Sequence, residues 1–523
     1  MENELKLPKV LQDALKKVST ASTPQLVKMV KNPLIRKMIV SEVEKFMFSQ
    51  LKESRSDPDI YPSIQDDRTA MGLAIMGSIN RALDEHHLSD AYLRGMLQIL
   101  VKTLFIDRGD AEPRDQFAAK YGARSPSFLL ISPGKACNLR CTGCYADSDN
   151  QKNALEWSIV DRMIEEAKTL WGTRFFVISG GEPFAYRSEG KGLLELIEKH
   201  QDCFFMAYTN ATLINEKVSK QLAEAGNMLL CISVEGWKER TDERRGAGVF
   251  DKILETMERL NKDGVPYGLS LTGTCHNAEE ILSEEFIDFF MQKGALFAWL
   301  FQYMPIGRSF TLDLMVTPEQ RAWMWKRSWE IVRERRFFLA DFWNHGTCVD
   351  GCLSAGGHGN GGYFYIDWNG AISPCVFVPY SPVNIRDIYA RGETLNDVWL
   401  NPFFKSVRSW QYDFKKNNRN YLAPCPNRDH HDELEQLLRQ YEPEPTDTNA
   451  AETLIDPEYT RGLVVYNKQY EAIMSSIWEN HYMRRKAAKD ELLAPLPEIP
   501  SVDKKDTLVD ISTVLQAEEA ASD

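Results

Sequence analysis

The 523-residue chain has no run of about eighteen apolar residues, so it contains no membrane-spanning helix signal. Its opening, MENELKLPKV, lacks the apolar core of a secretory signal, and a cytoplasmic location is expected. A basic excess is also missing. Lys and Arg number 62 against 75 Asp and Glu, a net charge of −13, which argues against nucleic acid as the main partner. No internal repeat is present. With no sign of secretion, the ten cysteines point to metal or redox chemistry rather than disulfides. What remains, 43% apolar and 26% charged residues, is the composition of a globular protein with roughly two to four domains.

Against these absences one feature stands out. Cys137, Cys141 and Cys144 lie in ACNLRCTGCYA with C-x3-C-x2-C spacing, just after the apolar stretch SFLLIS. Thiolates hold iron–sulfur clusters, and a fully ligated cubane takes four of them. Three local thiols would leave one iron open for a substrate or cofactor. A zinc knuckle is the other metal reading, but zinc sites usually pair two C-x2-C or Cys/His units, and no partner pair is near. The pattern resembles that of the radical S-adenosylmethionine (SAM) superfamily.

From about Ser127 to Gly307 strand-like and helix-like segments alternate. Six strands are predicted, at 127–133, 175–181, 204–210, 228–236, 267–273 and 297–307, each short, apolar and ended by Gly, Pro or Asn. Repeated βα units imply a parallel sheet with outer helices. The expected fold class is α/β: a partial (β/α)6 TIM-like barrel, which is also the fold the resemblance implies. In such sheets chemistry sits at the C-terminal strand ends, where the cysteine loop falls.

Two further motifs lie at strand ends. Ser179-Gly180-Gly181-Glu182-Pro183 ends the second strand, and its glycines allow close approach of backbone to a ligand. The resemblance assigns Gly180, Gly181 and Glu182 to the amino group of SAM. Ser233 and Glu235 end the fourth strand and suit a ribose. Asn210 ends the third strand as a companion, and Arg244 or Arg245 offers a bidentate fork for the SAM carboxylate. Met304, in the segment Met304–Gly307, falls where family members touch adenine. Many of them carry an aromatic residue just before the third cysteine. Here Gly143 stands there, and Tyr145 follows the cysteine instead.

A second cysteine set comprises Cys348, Cys352, Cys375 and Cys425. Four thiols suffice for another [4Fe–4S] cluster. The hairpin-like YFYIDWNGAISPC resembles the SPASM and twitch extensions of the superfamily, with Asn369-Gly370 as turn. Buried unliganded cysteine or zinc is the alternative. Cys203, Cys231 and Cys275 are expected to be structural; Cys275, His276 and His358 are candidates for the pocket, with a solvated loop the favoured place for the two histidines.

The expected organisation is a helical N-terminal domain (1–122), a core barrel (123–336), an auxiliary-cluster domain (337–432), and a linker with a helical extension (433–523). Helices are predicted after Thr23-Pro24, with Ile35, Ile39, Val43 and Phe46 on one face, from Met71 to about His86, and from Ser89 to Phe105. Trp323, Trp325 and Trp329 are expected to pack a capped helix over 317–336.

The resemblance implies an enzyme of anaerobic chemistry that uses a [4Fe–4S] cluster, SAM and a reductant such as flavodoxin or ferredoxin. SAM is split to a 5′-deoxyadenosyl radical that takes hydrogen from an unactivated C–H bond. A peptide or protein substrate is favoured. Radical C–C or C–S bond formation on a lipid or small metabolite is the alternative, and electron transfer or redox sensing a remote one. Five basic residues between Lys28 and Lys45 raise the option of peripheral membrane contact.

Overall fold

A ten-stranded sheet organises the chain. The computed structural model describes residues 23–54, 61–85, 87–97, 111–357, 361–417, 419–484 and 493–500. The six predicted strands are all present: β1 (Phe128–Ile131), β2 (Phe175–Ile178), β3 (Phe204–Thr209), β4 (Met228–Val234), β5 (Tyr267–Gly273) and β6 (Phe297–Gln302). Each pairs in parallel with the next.

The sheet then goes further than expected. β7 (Phe338–Asp341) pairs in parallel with β6, and β8 (Tyr363–Ile366) pairs in parallel with β1. Eight parallel strands result, in the order β8-β1-β2-β3-β4-β5-β6-β7. β9 (Ala371–Ser373) and β10 (Val383–Asn384) extend the β8 edge antiparallel. So the hairpin read as part of an auxiliary unit is continuous with the barrel sheet. Its register, Phe128 opposite Tyr363, joins residues far apart in sequence.

Local chemistry sets the helices on the outer face. Helix Trp157–Trp171 ends at Gly172, and helix Val249–Asp263 ends at Gly264, both left-handed caps. Helix Pro318–Glu334 starts with a capping box between Thr317 and Gln320, with Pro at its first turn. Trp325 and Trp329 on it are fully buried, as expected of packing residues.

At the N-terminal side, helix Thr23–Lys31 stops at Asn32, whose side-chain oxygen accepts from Leu34 and Ile35 N–H and starts helix Pro33–Ser54. The expected face of Ile35, Ile39, Val43 and Phe46 is only half-buried. Arg36 is buried and bonded to Asn80 and Asp84, so it is not available to a membrane. The helix expected from Met71 begins earlier, at Pro62, because Pro suits a first turn, and ends at Asp84. That expected from Ser89 runs Asp90–Gly95, with Ser89 as cap; residues 98–110 lie outside the described residues.

The segment read as a linker is structured. Glu444–Pro445 pairs antiparallel with Tyr380–Ser381, and helices Thr448–Ile455 and Pro457–Ile477 follow. Among the described residues no helix is long and apolar enough to cross a membrane.

Candidate functional site

The inward face of the barrel is hollow. A cavity of about 260 Å³ is lined by alternate residues of the strands, among them Phe128 and Leu130, Phe175 and Val177, Met206 and Tyr208, Trp299 and Phe301. One end of it carries the predicted motifs. Cys137, Cys141, Cys144, Gly180, Gly181, Asn210, Ser233, Arg244, Arg245 and Met304 all line it. Among the described residues the only charged groups on its wall are the two arginines.

The cysteine loop is fixed by its backbone. Cys137 N–H donates to Asp149 O at 2.8 Å, and Thr142 N–H to Arg244 O at 3.0 Å. All three cysteines are free. Donors point at their sulfurs: Leu139 N–H reaches Cys137 Sγ at 3.4 Å, Asn210 Nδ2 lies 3.8 Å from it, and Arg245 Nη1 lies 4.0 Å from Cys141 Sγ. Burial pushes the Cys137 thiol up to about 11 and raises that of Cys141, so bare thiolates are disfavoured here. A bound metal reverses that preference by deprotonating its thiols. Sulfurs met by N–H donors in a partly closed cavity fit an iron–sulfur cluster. No group of three or more His, Cys, Asp or Glu among the described residues surrounds a point fit for a single metal ion. A cubane does not require that, since its thiolates bind different irons.

Glu182 and Glu235 both have partners within the protein. The Glu182 carboxylate is buried and off the cavity wall. It accepts from Thr209 Oγ1 at 2.7 Å, Asn210 N–H at 2.8 Å and Phe184 N–H at 3.2 Å. It straps the glycine turn to the end of β3, and burial raises its pKa. The glycines themselves do reach the wall. A Cβ at Gly181 would collide with the carbonyl oxygens of Lys135 and Ala136, so only glycine lets the turn pack on the cysteine loop. Glu235 is also buried and is claimed by both Arg244 and Arg245 as ion-pair partner. Arg244 Nε further donates to Thr142 O at 3.1 Å. Two cations on one anion leave a net positive charge beside Cys141.

Sequence reasoning missed several residues. Tyr303, just past β6, lies 2.8 Å from where a Cβ of Gly143 would stand. It restores an aromatic ring beside the third cysteine from a distant segment. Tyr145 shares a 2.6 Å hydrogen bond with Ser179, tying the cysteine loop to the glycine turn. Arg308 donates from its backbone to Cys144 O at 3.0 Å and from Nη1 to Cys141 O at 3.1 Å. Its place directly after Gly307 was the available signal.

The second cysteine set is partly brought together. Burial raises the Cys425 thiol, with Asp429 and the sulfurs of Cys352 and Cys375 adding to it, and burial raises that of Cys375, with the Cys352 sulfur adding to it. Cys352 Sγ meets Ser354 Oγ at 3.2 Å, and Cys375 Sγ receives Phe377 N–H at 3.4 Å. Burial raises the Cys348 thiol, with Asp67 and Arg68 as its charged neighbours. Cys203 and Cys231 are fully buried in the core. Cys275 donates to Asp313 O at 3.0 Å and, like His276, does not line the cavity. His358 lies outside the described residues.

Residues 131–289 match the Radical SAM superfamily, and the chain carries that enzyme domain, which uses a [4Fe–4S] cluster and SAM. The chain is 32% identical over 196 residues to the Fe-coproporphyrin III synthase of Methanosarcina barkeri, covering 33% of this chain and 46% of that protein. It is 24% identical to the AdoMet-dependent heme synthase of the same organism, covering 54% and 85%. It is 32% identical to a cysteine-type anaerobic sulfatase-maturating enzyme of Clostridium novyi, covering 28% and 43%. The chain thus spans less than half the length of the first and third of these relatives. Among solved structures, Streptococcus suis SuiB bound to precursor peptide SuiA aligns at 20% identity with a TM-score of 0.47, covering 58% and 71%.

Proposed function

We propose that the protein is a radical SAM enzyme acting on a peptide or protein. One observation carries the chemistry: three cysteines of C-x3-C-x2-C line one cavity with a glycine turn, Ser233 and an arginine pair at the C-terminal ends of parallel strands. Cys137, Cys141 and Cys144 would hold a [4Fe–4S] cluster and the cavity end beside them would hold SAM; together these groups would supply radical abstraction of hydrogen from an unactivated C–H bond.

The chain's own residues supply position and shelter. The backbone of Gly180 and Gly181 offers polar groups to the SAM ammonium, in place of the Glu182 side chain. Ser233 faces the ribose. The surplus charge of Arg244 and Arg245 over Glu235 attracts the SAM carboxylate. Tyr303 and Met304 make the wall proposed for adenine. Deeper aromatic residues exclude water from a reactive species. Cys352, Cys375 and Cys425 are proposed to hold an auxiliary [4Fe–4S] cluster, and a flavodoxin or ferredoxin to supply electrons. A domain limit near 122 is proposed, but none at 336, since β7 and β8 continue the barrel sheet.

The sulfatase-maturating relative supports a protein substrate. A second reading, a small metabolite with a ring system, is favoured by the aromatic wall and by the relatives named as porphyrin and heme synthases. The test is anaerobic reconstitution, reduction and chromatography of the products. The wild type is expected to form 5′-deoxyadenosine, and a Cys137→Ala/Cys141→Ala/Cys144→Ala variant none. Equal SAM cleavage by that variant would refute the assignment. Added candidate peptides, or a coproporphyrin, that raise turnover would separate the two substrate readings.

A further inference from the structure

Tyr363 begins β8 and faces two sites at once. Its ring lines the barrel cavity and stacks on Phe128 with centroids 5.0 Å apart and planes 8° apart. Its hydroxyl lies 2.9 Å from Cys375 Sγ. The side chain is buried, with 1% exposure, and this sulfur is one of its hydroxyl's partners, beside the Val376 backbone. A phenol is protonated at neutral pH, and a sulfur held as a thiolate by a cluster can only accept, so the hydroxyl is the donor of this pair once a cluster is bound.

We infer that Tyr363 is a positioning residue linking the reaction cavity to the auxiliary cysteine site, where its hydroxyl donates to Cys375 Sγ and raises the reduction potential of the cluster that Cys375 ligates. This rests on the auxiliary-cluster reading above. The physical reason is electrostatic. An O–H dipole aimed at a ligand sulfur favours the more negative, reduced cluster, and hydrogen bonds to sulfur are a known lever on such potentials. A sulfur that also receives Phe377 N–H is already a polarised acceptor. The geometry is fixed from both sides. The Phe128 ring holds the aromatic plane, and Tyr363 N–H donates to Leu353 O at 3.1 Å. Substrate in the cavity would lie against the same ring that carries the donor.

The experiment is an anaerobic redox titration followed by electron paramagnetic resonance on wild type, Tyr363→Phe and Cys375→Ala, with iron counted in each. Tyr363→Phe keeps the ring and removes the donor. Its iron content is expected to equal that of wild type, and one cluster is expected to titrate at lower potential while the other is unmoved. In D2O, deuterium coupling to the auxiliary cluster is expected to lose one exchangeable site in Tyr363→Phe relative to wild type, while the Phe377 N–H and Ser354 hydroxyl remain in both. Unchanged potentials with unchanged coupling, or equal shifts of both clusters, would overturn the role of Tyr363 while leaving the auxiliary cluster standing. Loss of auxiliary iron in Tyr363→Phe would make it a residue needed for assembly and overturn the tuning role. Cys375→Ala with the same iron as wild type would show that no cluster uses Cys375, and the auxiliary reading would fall with the proposal.

Discussion

Asn210 N–H donates to the buried carboxylate of Glu182 at 2.8 Å, so the glycine turn after β2 is tied to the end of β3. Thr209 Oγ1 shares that carboxylate. Replacing Glu182 by Ala leaves these two donors and Phe184 N–H without their acceptor, at about 1–3 kcal/mol for each buried group left unmet. Glu182→Ala is therefore expected to lower unfolding stability by about 3 kcal/mol in urea titration and to loosen the Cys137 loop, with loss of iron from it. A variant with wild-type stability and iron, but weak SAM binding, would instead return Glu182 to the role of an ammonium ligand.

Glu235 is the shared counter-ion of Arg244 and Arg245. Breaking a buried pair by removing one partner costs about 3–5 kcal/mol, because the other charge stays buried. Both arginine side chains keep some exposure, 17% and 12%, so the lower end applies. Glu235→Ala is expected to cost about 3 kcal/mol in urea unfolding and to weaken iron retention, since Arg244 also holds Thr142 O. Full iron retention at wild-type stability would contradict this.

Much of the barrel was legible. Short apolar runs closed by Gly, Pro or Asn gave six strands in the right order, and a loop of three cysteines after the first strand marked the working end. The edge strands were not legible as part of that sheet. YFYI is as apolar as any strand, but nothing local in it names β1 as partner, because a register such as Phe128 to Tyr363 is decided by tertiary packing. The same limit applies to charges. A carboxylate at a strand end reads alike whether it meets a ligand or a backbone N–H, and two adjacent arginines do not reveal that both are claimed by Glu235. Tyr303 beside Gly143 was invisible for the same reason, since the ring comes from a segment far along the chain.

Cys348 and Cys375 should part company on mutation. Cys375 lies with Cys352 and Cys425, whereas Cys348 faces Asp67 and Arg68. In reconstituted protein, Cys375→Ala is expected to lose about four irons, one cubane. Cys348→Ala is expected to retain its iron. Equal losses in the two variants, measured by iron content and electron paramagnetic resonance, would make Cys348 the fourth ligand.

Asp67 joins four parts of the chain and should impose a pH dependence on stability. It lies on helix Pro62–Asp84 and accepts from Arg333 Nη2 at 2.9 Å, and from Thr347 Oγ1 and Tyr482 OH at 2.8 Å each. Burial outweighs these partners and raises its pKa from 3.8 to about 6. Between those values the folded chain binds more protons than the unfolded chain, so stability falls as pH rises from about 4 to about 6 and is level above. A shift of about two units corresponds to about 3 kcal/mol. Asp367, raised to about 6 by burial, adds a slope of the same sign. Asp429, held low beside Arg321, acts in the opposite sense below this window, and His345 and His481, lowered by burial to about 3 and about 4, act in the opposite sense within it. Urea unfolding at a series of pH values is therefore read as a difference: the stability of wild type relative to Asp67→Asn is expected to fall as pH rises from about 4 to about 6. An identical slope in the two proteins would show that Asp67 stays ionised throughout, with Arg333 outweighing its burial.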